Sequence, residues 1–251
     1  MLKKAFTIFT AFTLVIFFAG IWPNMALAAW SATDDFESGY SDNTSIDTVD
    51  GGTGWGAWSA TSGNYKSKNA ATINGSWFAE YSTMSALDAA TNRTLDSTVS
   101  AGTFRIVVRR TDLTNGRNTF GLHDSGGTRG WFFRFNGADQ THANTITFEG
   151  ASVIELGAVA ANTTYTLDLT FDHGTHLAHA QLNCGTATSD IAEETTISSA
   201  EILRLNATDL VMSGVFQFDD IGPGGGACGG GGAVAVQAVV IWFWSNDLIN
   251  F

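Results

Sequence analysis

Two short acidic words stand far apart in this chain, and together they constrain the fold more than anything between them. The first is Asp34-Asp35-Phe36-Glu37-Ser38-Gly39 and the second is Gln217-Phe218-Asp219-Asp220-Ile221-Gly222-Pro223. Residues 40–216 run between them as short segments of alternating apolar and polar residues, broken by Gly, Asn, Asp, Ser and Thr. That rhythm is one of strands and tight turns. It predicts a single β-sheet domain whose first and last strands lie side by side, bringing carboxylates from both extremities together.

The strand signal is clearest in the second half. Tyr165, Leu167, Leu169 and Phe171 alternate with Thr164, Thr166, Asp168, Thr170 and Asp172, a period of two with one buried face. Phe104, Ile106 and Val108 alternate likewise with Arg105 and Arg109. Trp131, Phe133 and Phe135 alternate with Phe132, Arg134 and Asn136, so both faces begin aromatic and the strand is expected inside a sandwich. Ile146 with Phe148, residues 177–182 and residues 211–218 complete the clearer strands; residues 55–59, 70–73 and 77–81 are shorter candidates. Residues 84–95 read as a helical turn or a loop, and residues 190–204 permit a short helix. Turn residues that accept positive φ separate the strands, as at Asn115-Gly116 and Ser125-Gly126-Gly127. Many short strands whose ends meet imply an all-β fold, an antiparallel two-sheet sandwich of the jelly-roll kind.

The flanks carry a different composition. Lys3 and Lys4 precede an apolar run from Ala5 to Trp22, and Ala26-Leu27-Ala28 has the small-x-small form of an export cleavage site. The expected division is a signal peptide over 1–28, a sandwich domain over 29–222, a Gly-rich linker over 223–232 and a short apolar tail over 233–251. An uncleaved anchor is the alternative at the start. The tail's apolar stretch, Ala233 to Trp244, is shorter than the roughly 20 residues that span a bilayer. It reads as an anchoring or sorting segment, a strand docking on the domain, or a sequence artefact. Cys184 and Cys228 are the only cysteines; an exported chain could pair them, although Cys228 sits in a glycine run.

The leader holds Lys3 and Lys4 and no acidic residue, so its removal takes the formal net charge from −12 to −14. Nucleic acid is excluded as a partner on this ground, because phosphate binding relies on clustered Lys and Arg. Divalent cations or neutral glycans suit such a surface, and plain solubility is the simpler reading.

Calcium takes six to eight oxygens from carboxylates, carbonyls and water. A first strand with Asp34, Asp35 and Glu37 beside a last strand with Asp219 and Asp220 could supply several, and a cation would relieve their repulsion. At these words the chain resembles the concanavalin A-like lectin and glucanase superfamily of jelly rolls. Members often open on a Phe-Glu word after acidic residues and close on a Phe-Asp-Asp-Ile-like strand, and many hold a structural calcium there. The resemblance spans residues 30–222. It implies that Asp35, Glu37 and Asp219 hold the ion, with Asp34 and Asp220 facing solvent; ordinary acidic strand ends are the alternative.

The glucanase branch of that superfamily carries a Glu-x-Asp-x-x-Glu strand, and retaining chemistry needs two carboxyls roughly 5 Å apart. No such word occurs here: Glu149 stands alone, and Glu193 and Glu194 are adjacent, which on a strand points them to opposite faces. The chain is therefore expected not to be an enzyme, with a pair such as Glu80 and Glu149 the remaining catalytic option. His173, His176 and His179 recur at a spacing of three but fall in a turn and a strand, so no metal trio is expected. For sugar binding, Trp55 and Trp58 with Tyr65 are the candidates, since flanking glycines suggest exposed rings on which a pyranose could stack; burial in the core is the competing reading.

The function these features imply is an exported, non-catalytic, carbohydrate-binding surface or extracellular module, secreted, periplasmic or at the cell surface, with a structural Ca2+. Its partner would be a glycan or cell-surface polymer, with membrane contact only through leader or tail. The alternatives are an adhesive protein making protein contacts and a divergent polysaccharide hydrolase or lyase.

Overall fold

The computed structural model describes residues 30–60, 65–70, 73, 77–81, 89–208 and 214–224. The leader, nearly all of the Gly-rich linker and the tail lie outside the described residues. Fifteen strands follow in order: β1 (Thr44–Ser45), β2 (Trp55–Ala60), β3 (Tyr65–Asn69), β4 (Trp77–Tyr81), β5 (Ala89–Val99), β6 (Ala101–Arg110), β7 (Arg117–His123) and β8 (Arg129–Asn136). Then come β9 (Thr145–Glu149), β10 (Val153–Ala158), β11 (Thr164–Asp172), β12 (Leu177–Leu182), β13 (Ile191–Ala192), β14 (Ala200–Thr208) and β15 (Phe216–Pro223). No helix occurs among the described residues.

The strands form two antiparallel sheets. One has eight strands in the order β1-β3-β4-β15-β6-β11-β12-β13, the other seven in the order β10-β9-β8-β7-β14-β5-β2. The all-β two-sheet sandwich expected from the alternation is the fold observed. In β11 the core side is Tyr165, Leu167, Leu169 and Phe171, facing Val108, Ile106 and Phe104 across the ladder to β6. Phe133 in β8 faces Phe120 in β7 and Phe148 in β9, which lays an aromatic row along the inner face of the other sheet. Rings from the two sheets then meet: Phe120 stacks with Phe216 at 5.8 Å, and Phe135 meets Tyr165 edge-on at 5.8 Å.

The ends of the folded region do lie side by side. The Asp34 N–H donates to the Ile221 carbonyl at 2.7 Å and the Ile221 N–H returns the bond at 2.8 Å. Phe36 and Phe218 meet ring to ring at 5.6 Å and 81°. Phe218 also touches Trp58 and Tyr65, so removing its ring (Phe218→Ala) is worth about 3–5 kcal/mol.

The Gly51-Gly52-Thr53-Gly54 word is the bed on which the first segment lies. Thr33 and Thr53 form an antiparallel bridge. Gly52 and Gly54 have φ of +74° and +78°, and a Cβ on Gly52 would stand 2.1 Å from the Thr33 carbonyl oxygen. Any side chain there would displace the strand end that carries Asp34.

Three segments differ from expectation. Residues 70–73 were expected as a short strand, but Ala70 and Ile73 lie outside every strand, and 71–72 lie outside the described residues. The described part of residues 84–95 belongs to β5, and residues 190–204 contain β13 and the start of β14 rather than a helix. β14 is an interior strand paired on both edges, to β5 and β7, and those ladders decide its conformation over local propensity.

Candidate functional site

The acidic words close the sandwich through an ion pair. Asp34 was expected at the surface but is 1% exposed, and its carboxylate pairs with Arg93 of β5, whose side chain is fully buried. The same carboxylate accepts the Phe36 N–H at 3.0 Å and the Tyr40 hydroxyl, and the Trp58 indole N–H reaches the Tyr40 oxygen at 2.9 Å. Arg93 donates further to the Gly56 carbonyl at 2.9 Å and to the Gly51 carbonyl. Burial, and then the Asp34 carboxylate, push the Tyr40 hydroxyl well above the usual tyrosine range, which keeps it a donor. Each polar group in this knot has a partner, as a buried ion pair requires.

The three carboxylates expected to hold calcium do not converge. Asp35 is exposed and accepts the Glu37 N–H at 3.0 Å; Glu37 is exposed and accepts the Trp77 N–H at 3.1 Å; Asp219 is fully buried and accepts the Asp220 N–H at 2.8 Å. Among the described residues no group of three or more His, Cys, Asp or Glu is arranged to hold a metal ion. Arg93 answers the charge of Asp34, and the three predicted carboxylates form no shared donor set among the described residues.

Trp55, Trp58 and Tyr65 lie in the core at 3%, 1% and 1% exposure. Rings so covered offer no face to a sugar. Trp58 packs on Phe36 and Phe218, both tryptophans lie against the Arg93 guanidinium, and Tyr65 packs on Tyr81. Gly54, before Trp55, serves the close passage of Ala32, whose atoms a Cβ there would meet at 2.9 Å.

Glu80 sits on the eight-stranded sheet with Lys68 and Gln217, whereas Glu149 sits on the seven-stranded sheet with Arg134, so the two form no pair. Glu194 holds Arg129 in a two-pronged bond at 2.6 and 2.7 Å, and that contact keeps its carboxyl below the usual range. Glu193 accepts from His173 at 2.5 Å and from His176 at 2.9 Å, while His179 pairs with Asp190 at 2.9 Å. The three histidines thus go to two carboxylates of the segment around β13, and no metal trio forms. Cys184 is in a disulfide, and Cys228 lies outside the described residues.

A cavity of about 590 Å³ opens where Trp30, the end of β15 and strands β6, β11 and β12 come together. Trp30, Phe171, Leu177 and Pro223 give it an apolar wall; Thr103, Thr170, Asp172, Thr175, His179 and Asp190 supply polar groups. Trp30 is fixed by its indole N–H on the Ala32 carbonyl at 2.9 Å and by edge contacts to Trp55 and Phe104. The Thr103 and Thr170 hydroxyls bond at 3.0 Å, Asp172 accepts the Gly174 N–H at 2.7 Å, and the Gly224 N–H donates to the Thr103 carbonyl at 2.8 Å. Leu177, 41% exposed, is one of two large apolar side chains exposed among the described residues. An apolar wall with a few convergent polar groups, in a volume of this order, is the general form of a small-ligand site. Its residues come from segments scattered along the chain, so no local word could have announced it.

No protein-family model matches the chain, and no curated protein matches it by sequence. Among solved structures, a chain described as a sialidase superposes with a TM-score of 0.50 at 7% identity, covering 64% of this chain and 17% of that one. This chain therefore spans well under two thirds of the sialidase chain's length. The carbohydrate binding module CBM66 from Bacillus subtilis superposes with a TM-score of 0.43 at 13% identity, over 72% of this chain and 97% of that one. The carbohydrate recognition domain of Emp47p gives 0.45 at 11%, over 76% and 96%. At such identities the likeness is one of fold alone. The class that the sheet order and this likeness define is an antiparallel two-sheet β-sandwich.

Proposed function

We propose that this protein is an exported, non-catalytic module that binds a neutral glycan in the cavity beside Trp30. The observation that carries the reading is the cavity itself: an aromatic and aliphatic wall faced by hydroxyl, carboxylate and imidazole groups. A sugar ring presents an apolar face of C–H groups and an equator of hydroxyls, and this lining answers both. Leu177 and Pro223 at the mouth would take the apolar face, with the buried Trp30 and Phe171 forming the floor beneath them; Asp172, Asp190 and His179 would take hydroxyls. Binding without turnover is supported by the engagement of the glutamates: Glu80, Glu149 and Glu194 pair with Lys68, Arg134 and Arg129, and Glu155 and Glu193 are hydrogen-bonded to His142 and to His173 with His176. The leader motif supports export to where free glycans occur.

The test is isothermal titration of the full chain against a panel of neutral oligosaccharides, repeated with Leu177→Ser and His179→Ala. Both residues are surface positions, so folding should be retained. Loss of one well-placed contact weakens binding by about tenfold per 1.4 kcal/mol, and each variant should lose at least that much. A folded protein that binds no glycan of the panel, or variants that bind as tightly as the parent, would refute the proposal.

A further inference from the structure

Both ends of the described fold line the cavity, and they are held there by unequal means. Trp30, at the start, is fixed by its indole N–H and by the rings around it. At the other end Pro223 and Gly224 form part of the wall, where β15 stops and a glycine-rich stretch begins. Pro223 has no N–H to donate, and the Gly224 N–H holds the segment to the sheet through the Thr103 carbonyl at 2.8 Å. Seven of residues 224–232 are glycine, the residue that loses most conformational freedom on ordering. A wall built on such a stretch needs a firmer tie than one hydrogen bond.

Cys184 offers that tie. It is in a disulfide, and the chain holds one other cysteine, Cys228. A line of contacts leads from the wall to it. A Cβ on Gly224 would stand 2.5 Å from Thr103 Cγ2 and 2.6 Å from Asp168 Oδ1, so the segment lies against β6 and β11 with no room for a side chain. Thr103 and Asp168 alternate with the core residues Phe104, Leu167 and Leu169, which places this contact on the outer face of the eight-stranded sheet. Asp168 takes both prongs of Arg105, each at 2.7 Å, and the Arg105 Nη2 lies 4.0 Å from the Cys184 sulfur. Cys228 stands four residues beyond Gly224, and four extended residues reach about 13 Å. The gap from Gly224 to Cys184, bridged by one carboxylate and one guanidinium, is within that reach.

We infer that Cys184 bonds Cys228 and thereby straps residues 224–228 across Asp168 and Arg105, keeping Pro223 and Gly224 in place as a wall of the cavity. The effect on glycan binding rests on the reading of the cavity given above; the strap itself does not. Forming the bond takes two electrons and two protons from the two thiols. A small disulfide such as oxidised glutathione accepts them, its own S–S bond breaking to give two thiols. The module therefore gains its full affinity in an oxidising compartment and loses it on reduction.

The experiment compares the full chain, oxidised with glutathione disulfide, with the same chain reduced by dithiothreitol and with Cys184→Ser/Cys228→Ser. Peptide mapping of the oxidised protein should find Cys184 joined to Cys228 within one chain. Free thiols, or a disulfide between two chains, would overturn the inference. Amide exchange at Gly224, measured relative to the β6 amides, should be at least about tenfold faster in the variant and in the reduced chain. An equal change at Gly224 and β6 would mean that the bond stabilises the whole fold and holds no wall. Affinity for the neutral oligosaccharide that the parent binds best should fall at least about tenfold in both, and unchanged affinity overturns the strap's part in binding. A parent that shows the linkage and the exchange difference yet binds no glycan refutes the cavity reading and upholds the strap, so the two failures are distinguishable.

Discussion

Asp34 and Glu193 are both buried carboxylates, and the protein secures them by different means. Asp34 takes a permanent cation, Arg93, together with the Tyr40 hydroxyl and the Phe36 amide. Glu193 takes two imidazoles, His173 and His176, and the Ile197 amide at 3.1 Å. An arginine stays charged at every pH a protein meets, whereas a histidine carries charge only on the acid side of neutrality. The first knot therefore holds the two chain ends unconditionally. The second ties β13 to the turn after β11 on terms that depend on pH. Its His173 is fully buried, packed against Trp131 and Phe171, and its Nε2 has no hydrogen-bond partner.

The largest expected effect follows from breaking the unconditional knot. Asp34→Ala leaves the Arg93 charge buried and unpaired, and urea unfolding should show a loss of about 3–5 kcal/mol. A loss under about 1 kcal/mol would remove the distinction between the two carboxylates. An intermediate effect is expected from acid. Burial holds both His173 and His123 below the ordinary histidine value of 6.5, so the unfolded chain takes up their protons first. Stability should be level above that value and should fall as pH drops from it toward the folded-state values. Guanidinium melts at mildly acidic and neutral pH check the sign, and a rise in stability on acidification would contradict it. The smallest effect concerns calcium. Since Asp35, Glu37 and Asp219 form no cluster, a chelator should move the melting temperature by less than about 1 °C, where a folded-state ligand would move it by several.

The frame of the molecule was legible because its information is local and repeated. The alternation of Tyr165 to Phe171 states a half-buried strand without help from elsewhere, and the two acidic words state that the ends meet. β5 was not legible: Ala89–Val99 carries polar residues on both faces with no apolar alternation, and its pairing with β14 and β2 makes it a strand. That omission hid Arg93, whose inward place between Thr91 and Leu95 appears only once the strand is drawn. Without Arg93 the acidic words asked for a metal.

The sugar-binding candidates went astray for a related reason. Glycines around Trp55 and Trp58 suggest an exposed loop, but Gly52 and Gly54 are there because Ala32 and Thr33 pass over them. Backbone proximity between residues so far apart in sequence leaves no local trace. The same holds for the cavity, which joins Trp30 to Leu177 and Pro223.

Amide hydrogen exchange reads the joining of the two extremities directly. The Asp34 and Ile221 amides, bonded to each other's carbonyls across the closure, should exchange only through global unfolding, with protection matching that of the β6 amides. Fast exchange at Asp34 and Ile221 while β6 stays protected would mean that the ends are not locked together, and that Arg93 holds no closure.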